Sequence, residues 1–134
     1  MNWTITGDAP IYAQLMGQIE VGIVSGVFPA GERLPSVRDL AAEAGVNPNT
    51  MQRALSELER EELVYSQRTA GRFVTESQER IEGVKRKLAR QHIQVFLDAM
   101  TQLGYQQEEL PELLRQFPLE EWKKEETDHG SSGV

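Results

Sequence analysis

The sequence predicts a mainly α, α+β fold: a winged helix-turn-helix followed by a short all-helical extension. Three observations carry that reading. Two helix patterns meet across a single residue, Val46, between a Gly45 stop and an Asn47 start. A strand-turn-strand run over residues 63–75 follows them. From about Glu76 the apolar spacing becomes that of one long helix.

Residues 10–25 have the spacing of an amphipathic helix. Ile11, Leu15, Ile19 and Ile23 recur every four residues and form a stripe expected to be buried. Pro10 suits the first helical position, where a missing N–H costs nothing. Gly26 stops the helix, Phe28-Pro29-Ala30-Gly31 makes a turn, and Glu32-Arg33-Leu34 is a short extended segment. Pro35 keeps Leu34 out of the helical region. Ser36 caps the next helix, with Asp39 three positions on in a capping-box arrangement. Val37, Leu40 and Ala41 face inward, and Gly45 ends the helix. Asn47 caps the third helix and Pro48 takes its first position. Met51, Ala54, Leu55 and Leu58 line its apolar face. Leu63-Val64-Tyr65-Ser66, the turn Gln67-Arg68-Thr69-Ala70-Gly71, and Arg72-Phe73-Val74-Thr75 complete a hairpin. Gly71 is expected to take a positive φ in that turn.

Residues 77–103 read as one long helix. Ile81, Val84, Leu88, Val95, Ala99 and Leu103 lie near one stripe, and Ile93, Phe96, Leu97 and Met100 widen the apolar surface at the far end. That band is broader than a helix lying on one domain needs. Gly104 breaks it. Leu110, Leu113, Leu114 and Phe117 mark a further helix with Pro111 near its start, and Pro118 opens a last turn carrying Trp122. The domains expected are 1–75, the winged helix-turn-helix; 76–126, the helical extension; and 127–134, a disordered polar tail.

Composition removes several function classes. The 134 residues are 39% apolar and 26% charged, as in a soluble folded domain. The chain has no cysteine, which excludes a disulfide framework, a zinc-thiolate site and a cysteine nucleophile. A reducing cytoplasm is the expected location. No apolar run approaches the ~18–20 residues that cross a bilayer, so no membrane partner is expected. The two histidines, His92 and His129, have no evident nucleophile or carboxylate partner. No enzyme activity, cofactor or metal site is expected. Acidic residues number 21 against 14 basic, a net charge of -7. That balance by itself argues against a nucleic-acid partner, whose footprint is normally basic.

The helix faces argue the other way. At about 100° per residue, Ala54, Leu55 and Leu58 fall on the same side as Met51, the core side. Asn49, Arg53, Ser56 and Arg60 fall opposite, and Thr50 and Gln52 sit on the flanks near the N-terminal end. In a helix-turn-helix this part of the second helix meets base edges in the major groove. Asn and Gln pair with adenine, Arg with guanine, and the Thr methyl touches the thymine methyl. An ordinary solvated face offers the same residue types, so the face alone does not decide. Arg38 sits in the first turn of the preceding helix, and Arg68 and Arg72 flank the hairpin turn, placed for phosphates or the minor groove. Their convergence favours DNA. The candidate DNA-binding set is Arg38, Asn47, Asn49, Thr50, Gln52, Arg53, Arg68 and Arg72.

Pro10-Ile11-Tyr12 with Gln14, Ile23 and Gly26, the run from Pro29 to Ala41, and Gly45-Val46-Asn47-Pro48-Asn49-Thr50 together resemble the GntR family of bacterial transcription regulators. Ala54-Leu55 with Leu58, Leu63-Val64, and Gly71-Arg72-Phe73-Val74 continue the resemblance over roughly residues 9–75. It implies operator DNA bound by a dimer, with contacts from Arg38, Asn49, Thr50, Arg53 and the wing. Pro48 stands where most members carry arginine, so that contact is expected to be missing. Glu62 replaces a usual glycine, and Thr69 and Arg72 depart from the commonest wing. The 59 residues after the wing are too few for a large effector domain or an aminotransferase-like domain. The short extension and the Asn-Pro-Asn-Thr run are similar to the YtrA-like subfamily. There the extension serves dimerisation, which assigns Ile93, Phe96, Leu97 and Met100 to the dimer contact. Packing of these residues onto the winged helix is the alternative.

The expected function is a homodimeric, sequence-specific DNA-binding transcription regulator. It would repress an operon from a pseudo-palindromic operator, since two-fold symmetry is mirrored in the site. The subfamily implies a transporter-linked operon. The alternative is a winged-helix protein-interaction module without specific DNA binding, supported by the acidic balance and by Glu57, Glu59, Glu61 and Glu62. A small-molecule effector stays open, because the sequence names neither ligand nor site. Residues 1–75 hold 6 basic and 9 acidic side chains, and residues 76–134 hold 8 and 12, so neither part is basic. Binding is therefore expected to rest on Arg38, Arg53, Arg60, Arg68 and Arg72 gathered on one face. Glu20, Glu57 and the C-terminal glutamates would lie elsewhere, and non-specific binding would be weak and salt-sensitive.

Overall fold

Helix caps and apolar spacing place the first three helices. The computed structural model describes residues 1–122; the tail expected over 127–134, and the end of the expected extension over 123–126, lie outside them. α1 spans Ile11–Val24, with Pro10 just outside it as the capping residue rather than at the first helical position. Leu15, Ile19 and Ile23 are buried, but Ile11 is 43% exposed. The buried stripe therefore starts one turn later than its spacing implies, at Leu15. α2 spans Val37–Ala44; the Ser36 hydroxyl accepts the Asp39 N–H at 3.1 Å, and Gly45 closes the helix at φ 71°. α3 spans Pro48–Arg60; the Asn47 side-chain oxygen accepts the Asn49 N–H at 2.7 Å, and Pro48 opens the helix.

Met51, Ala54, Leu55 and Leu58 of α3 are all at most 1% exposed. They meet Leu15 and Ile19 of α1 and Leu40 and Ala41 of α2 in one core. Each fully buried side chain of this size contributes about 1.5–3 kcal/mol of transfer free energy. The hairpin closes the core from the other end. β1 (Val64–Gln67) and β2 (Gly71–Val74) pair antiparallel, with Val64 opposite Val74 and Gln67 opposite Gly71. Val64 and Val74 point into the core, while Tyr65 and Phe73 stack with ring centroids 5.7 Å apart. The extended segment before α2 adds to the β2 edge. The Leu34 N–H donates to the Arg72 carbonyl at 2.8 Å, and the Val74 N–H donates to the Glu32 carbonyl at 2.9 Å. Gly71 has φ 98°, and the Arg33 Nε lies 2.9 Å from where a Cβ would stand, so the turn requires glycine twice over.

Two features were not legible beforehand. The arm before α1 is tied down by two glutamines. The Gln18 amide exchanges hydrogen bonds with the Thr4 backbone at 2.9 and 2.7 Å, and Gln14 does the same with Thr6 at 2.8 Å each way. Glu62, where the family usually has glycine, does adopt a left-handed conformation, at φ 62°. That costs a non-glycine residue about 1–2 kcal/mol. Its carboxylate meets Arg80 at 2.5 Å.

α4 runs from Gln78 to Gln102. The chain divides into two compact units, residues 1–91 and residues from 92 on, so α4 begins in one and ends in the other. In the first unit Ile81 joins the core, Val84 packs against it, and Lys87 Nζ donates to the Glu20 carboxylate at 2.7 Å. Glu20 is 4% exposed, so this bond satisfies a buried charge. Burial also holds the neighbouring Glu61 carboxyl above the usual carboxylate range; Lys87 pulls it back, and Glu20 and Glu57 push it up. In the second unit Gly104 turns at φ 94°, a 3-10 turn spans Gln107–Glu109, and α5 spans Leu110–Gln116. Here Val95 and Leu103 of the apolar stripe are 68% and 72% exposed. Phe96 and Leu97 instead line an apolar groove with Leu110, Pro111 and Leu114. A helical turn carrying Trp122 follows Pro118.

The weight carried by α3 can be measured. Leu55→Ala is expected to lose about 2–5 kcal/mol in urea unfolding. Gly45→Ala is expected to lose about 1–2 kcal/mol through its left-handed backbone. A Leu55→Ala loss below 1 kcal/mol would show that α3 is not the centre of the core.

Candidate nucleic-acid interface

Burial of one face of α3 turns the opposite face outward. Asn49, Gln52, Arg53 and Ser56 are exposed, and Thr50 is half-buried on the flank. The Asn47 oxygen is committed to the cap, which leaves its NH2 group as donor. Gln52 Nε2 donates to the Ser56 hydroxyl at 3.2 Å along the exposed face. Arg53 lies over the ring of Tyr12 from α1, with its guanidinium carbon 3.7 Å from the ring centroid. Arg38 is exposed at the second position of α2, and Arg68 is exposed in the hairpin turn. The N-termini of α2 and α3 add partial positive charge of about half a unit each near Arg38 and Asn49.

The five arginines do not share one state. Among the described residues, no carboxylate forms an ion pair with Arg38, Arg53 or Arg68. Arg60 pairs with Glu57 at 3.7 Å, and Arg72 pairs with Glu59. The expectation that Glu57 lies away from the arginines is therefore corrected. Three-residue spacing on α3 places Glu57 beside Arg60. The hairpin folds back over the end of α3, so Arg72 and Ser66 converge on Glu59, and the Ser66 hydroxyl donates to it at 2.7 Å. The Arg72 side chain is only 19% exposed. Burial raises the Glu59 carboxyl, but the hydrogen bonds from Ser66 and Arg72 and the Arg72 charge outweigh it, and the net shift is downward. Glu20 is likewise neutralised by Lys87, and Glu62 by Arg80.

Sequence reasoning missed Tyr12, Arg33 and Glu59 as parts of this surface. Tyr12 and Arg53 stand far apart in sequence, and only the packing of α1 on α3 brings them together. Arg33 passes under the hairpin turn at Gly71. Among the described residues, no group of histidine, aspartate and glutamate is arranged to hold a metal ion, and no helix is long and apolar enough to cross a membrane.

The sequence profile of the gntR family of bacterial regulatory proteins matches residues 11–74, from α1 through β2. The chain is 34% identical over 112 residues to the HTH-type transcriptional repressor YtrA of Bacillus subtilis, covering 82% of this chain and 85% of that one. The chain belongs to the gntR family. Its likeness to YtrA is longer than the winged helix-turn-helix, in keeping with a YtrA-like extension. A GntR family transcriptional regulator from Listeria monocytogenes has the same fold, with a TM-score of 0.75 at 37% identity over 84% of this chain and 99% of that one. The DNA-binding domain of AraR in complex with operator ORX1 matches 56% of this chain and 96% of its own at 26% identity, with a TM-score of 0.52. These relatives are named as regulators and repressors rather than enzymes.

The Glu59 pairing has a pH signature. A carboxyl held below its ordinary value stabilises the fold above that value, and the gain is lost as pH falls through the lowered one. Glu59→Gln is expected to melt below wild type at pH 7, and the gap should shrink as pH falls below the ordinary carboxylate value of about 4.3. A constant gap down to pH 3 would show that the pair does not titrate in this way.

Proposed function

We propose that this gntR-family regulator is a homodimeric, sequence-specific repressor that binds a pseudo-palindromic operator in the cytoplasm. The observation that carries the reading is the outward face of α3. It displays Asn49, Gln52 and Arg53 beside an unpaired Arg38, at the helix end that enters the major groove in this architecture. The operator complex of AraR supports the choice of DNA as partner. In this reading Asn49 and Gln52 pair with bases, Thr50 offers a methyl and a hydroxyl, and Arg38 and Arg53 contact guanine or phosphate. Asn47 donates its NH2 to the backbone, and Arg68 carries the wing. Arg72 keeps its Nε on Glu59 and offers a phosphate its Nη groups.

Dimerisation belongs to the second unit. Ile93, Phe96 and Leu97 line an apolar groove of about 500 Å³ with Leu110, Pro111 and Leu114, and Met100 is half-buried nearby on the same helix. Ile93, Leu114 and Phe117 each expose half or more of their surface. Apolar surface of that extent is the kind a second copy covers. A regulator of an operon linked to transport follows from the YtrA-like character alone.

Selection of preferred sites from a random DNA pool is expected to return an inverted repeat. On that site Arg38→Ala and Arg53→Ala should each cost about 1–3 kcal/mol, with little loss on random DNA. Equal affinity for selected and random DNA would defeat the specific reading and favour a protein-interaction module. Phe96→Asp should shift the protein to monomer in sedimentation equilibrium and weaken operator binding. A variant that stays dimeric would move the interface elsewhere.

A further inference from the structure

We infer that Tyr12 is a positioning residue that presets Arg53 for contact with DNA. The inference rests on the proposed DNA-binding role of α3 and names a residue of α1 that serves it. The Arg53 guanidinium carbon stands 3.7 Å from the Tyr12 ring centroid, well inside the ~6 Å range of a cation–π contact. A guanidinium held over a ring accepts no competing carboxylate there and keeps N–H donors at its edge for a base or a phosphate.

The other arginine partners in this fold behave differently. Glu59 takes a hydrogen bond from Arg72, and Glu57 takes the charge of Arg60. A carboxylate partner cancels an arginine's charge and occupies part of its donor set. An aromatic face does neither. Among the described residues no carboxylate forms an ion pair with Arg53. In a chain of net charge -7, Tyr12 therefore holds a cation in place without neutralising it.

The platform beneath the stack is itself fixed. Tyr12 is half-buried and packs against the core, one turn before the fully buried Leu15. Two residues on, Gln14 ties the start of α1 to the arm through the Thr6 and Ala9 carbonyls, each at 2.8 Å. A long, flexible arginine side chain loses much rotamer freedom on binding. A chain already stacked on a rigid ring has lost part of it before DNA arrives, which favours affinity.

The test uses the full chain and the operator recovered by selection. Affinities are compared for wild type, Tyr12→Phe, Tyr12→Leu, Arg53→Ala, and Tyr12→Leu combined with Arg53→Ala or with Arg38→Ala. Tyr12→Phe keeps the ring and should stay within about twofold of wild type. Tyr12→Leu should bind about three- to tenfold more weakly. That loss should vanish when Arg53 is already alanine and persist when Arg38 is. A loss that survives in the Arg53→Ala background overturns the inference, as does a Tyr12→Phe loss equal to that of Tyr12→Leu. A readout without DNA runs alongside. The Arg53 side-chain protons should show an upfield ring-current shift in wild type and Tyr12→Phe that disappears in Tyr12→Leu; no shift in wild type overturns the stack. Operator binding without the coupling sinks this inference alone. A wild type that shows the ring-current shift but binds selected and random DNA equally sinks the regulator reading, and the positioning role with it.

Discussion

The burial of one face of α3 is the constraint on which the rest of the structure depends. Met51, Ala54, Leu55 and Leu58 cannot be withdrawn from the core without exposing α1, α2 and the hairpin together. Because a helix is rigid and its faces are fixed by geometry, that burial commits Asn49, Gln52 and Arg53 to the outside. The caps at Asn47 and Ser36 set where the helices start, and so which residues stand at the ends aimed outward. The exposed polar row and the buried apolar row are two faces of one element.

Charge is handled locally rather than globally. The chain is acidic, yet several of its carboxylates are answered one by one: Glu20 by Lys87, Glu57 by Arg60, Glu59 by Arg72 and Glu62 by Arg80. This leaves Arg38, Arg53 and Arg68 without a carboxylate partner among the described residues. Their field acts at short range, and beyond a Debye length of about 8–10 Å the remaining negative charge is largely screened from a polyanion. Such a distribution favours a docked complex over diffuse association, because only the docked geometry brings phosphates next to the unpaired cations.

Much of the winged helix-turn-helix was legible because local rules and the core agree there. Ser36, Gly45, Asn47 and Pro48 each carry a strong backbone preference, and each is used as that preference dictates. The hairpin was legible for the same reason, down to the positive φ of Gly71. Where periodicity ran beyond its partner layer, it misled. Ile11 has the right spacing yet stays 43% exposed. Periodicity reports which residues can share a face, not how far the neighbouring layer extends.

The sequence by itself determined the element order, the caps, the inward face of α3 and therefore the candidate reading residues. These depend on backbone preference and on separations of a few residues, which a chain carries with it before it folds. Apart from the Arg60–Glu57 pair, which follows from spacing along α3, tertiary structure decided which of the arginines are occupied and which are held ready. Tyr12 meets Arg53, Arg72 meets Glu59, and Lys87 meets Glu20 across gaps in sequence that no local pattern spans. An arginine's availability is a property of its neighbours in space, and those are fixed only when α1, α3, the hairpin and α4 close on a common core.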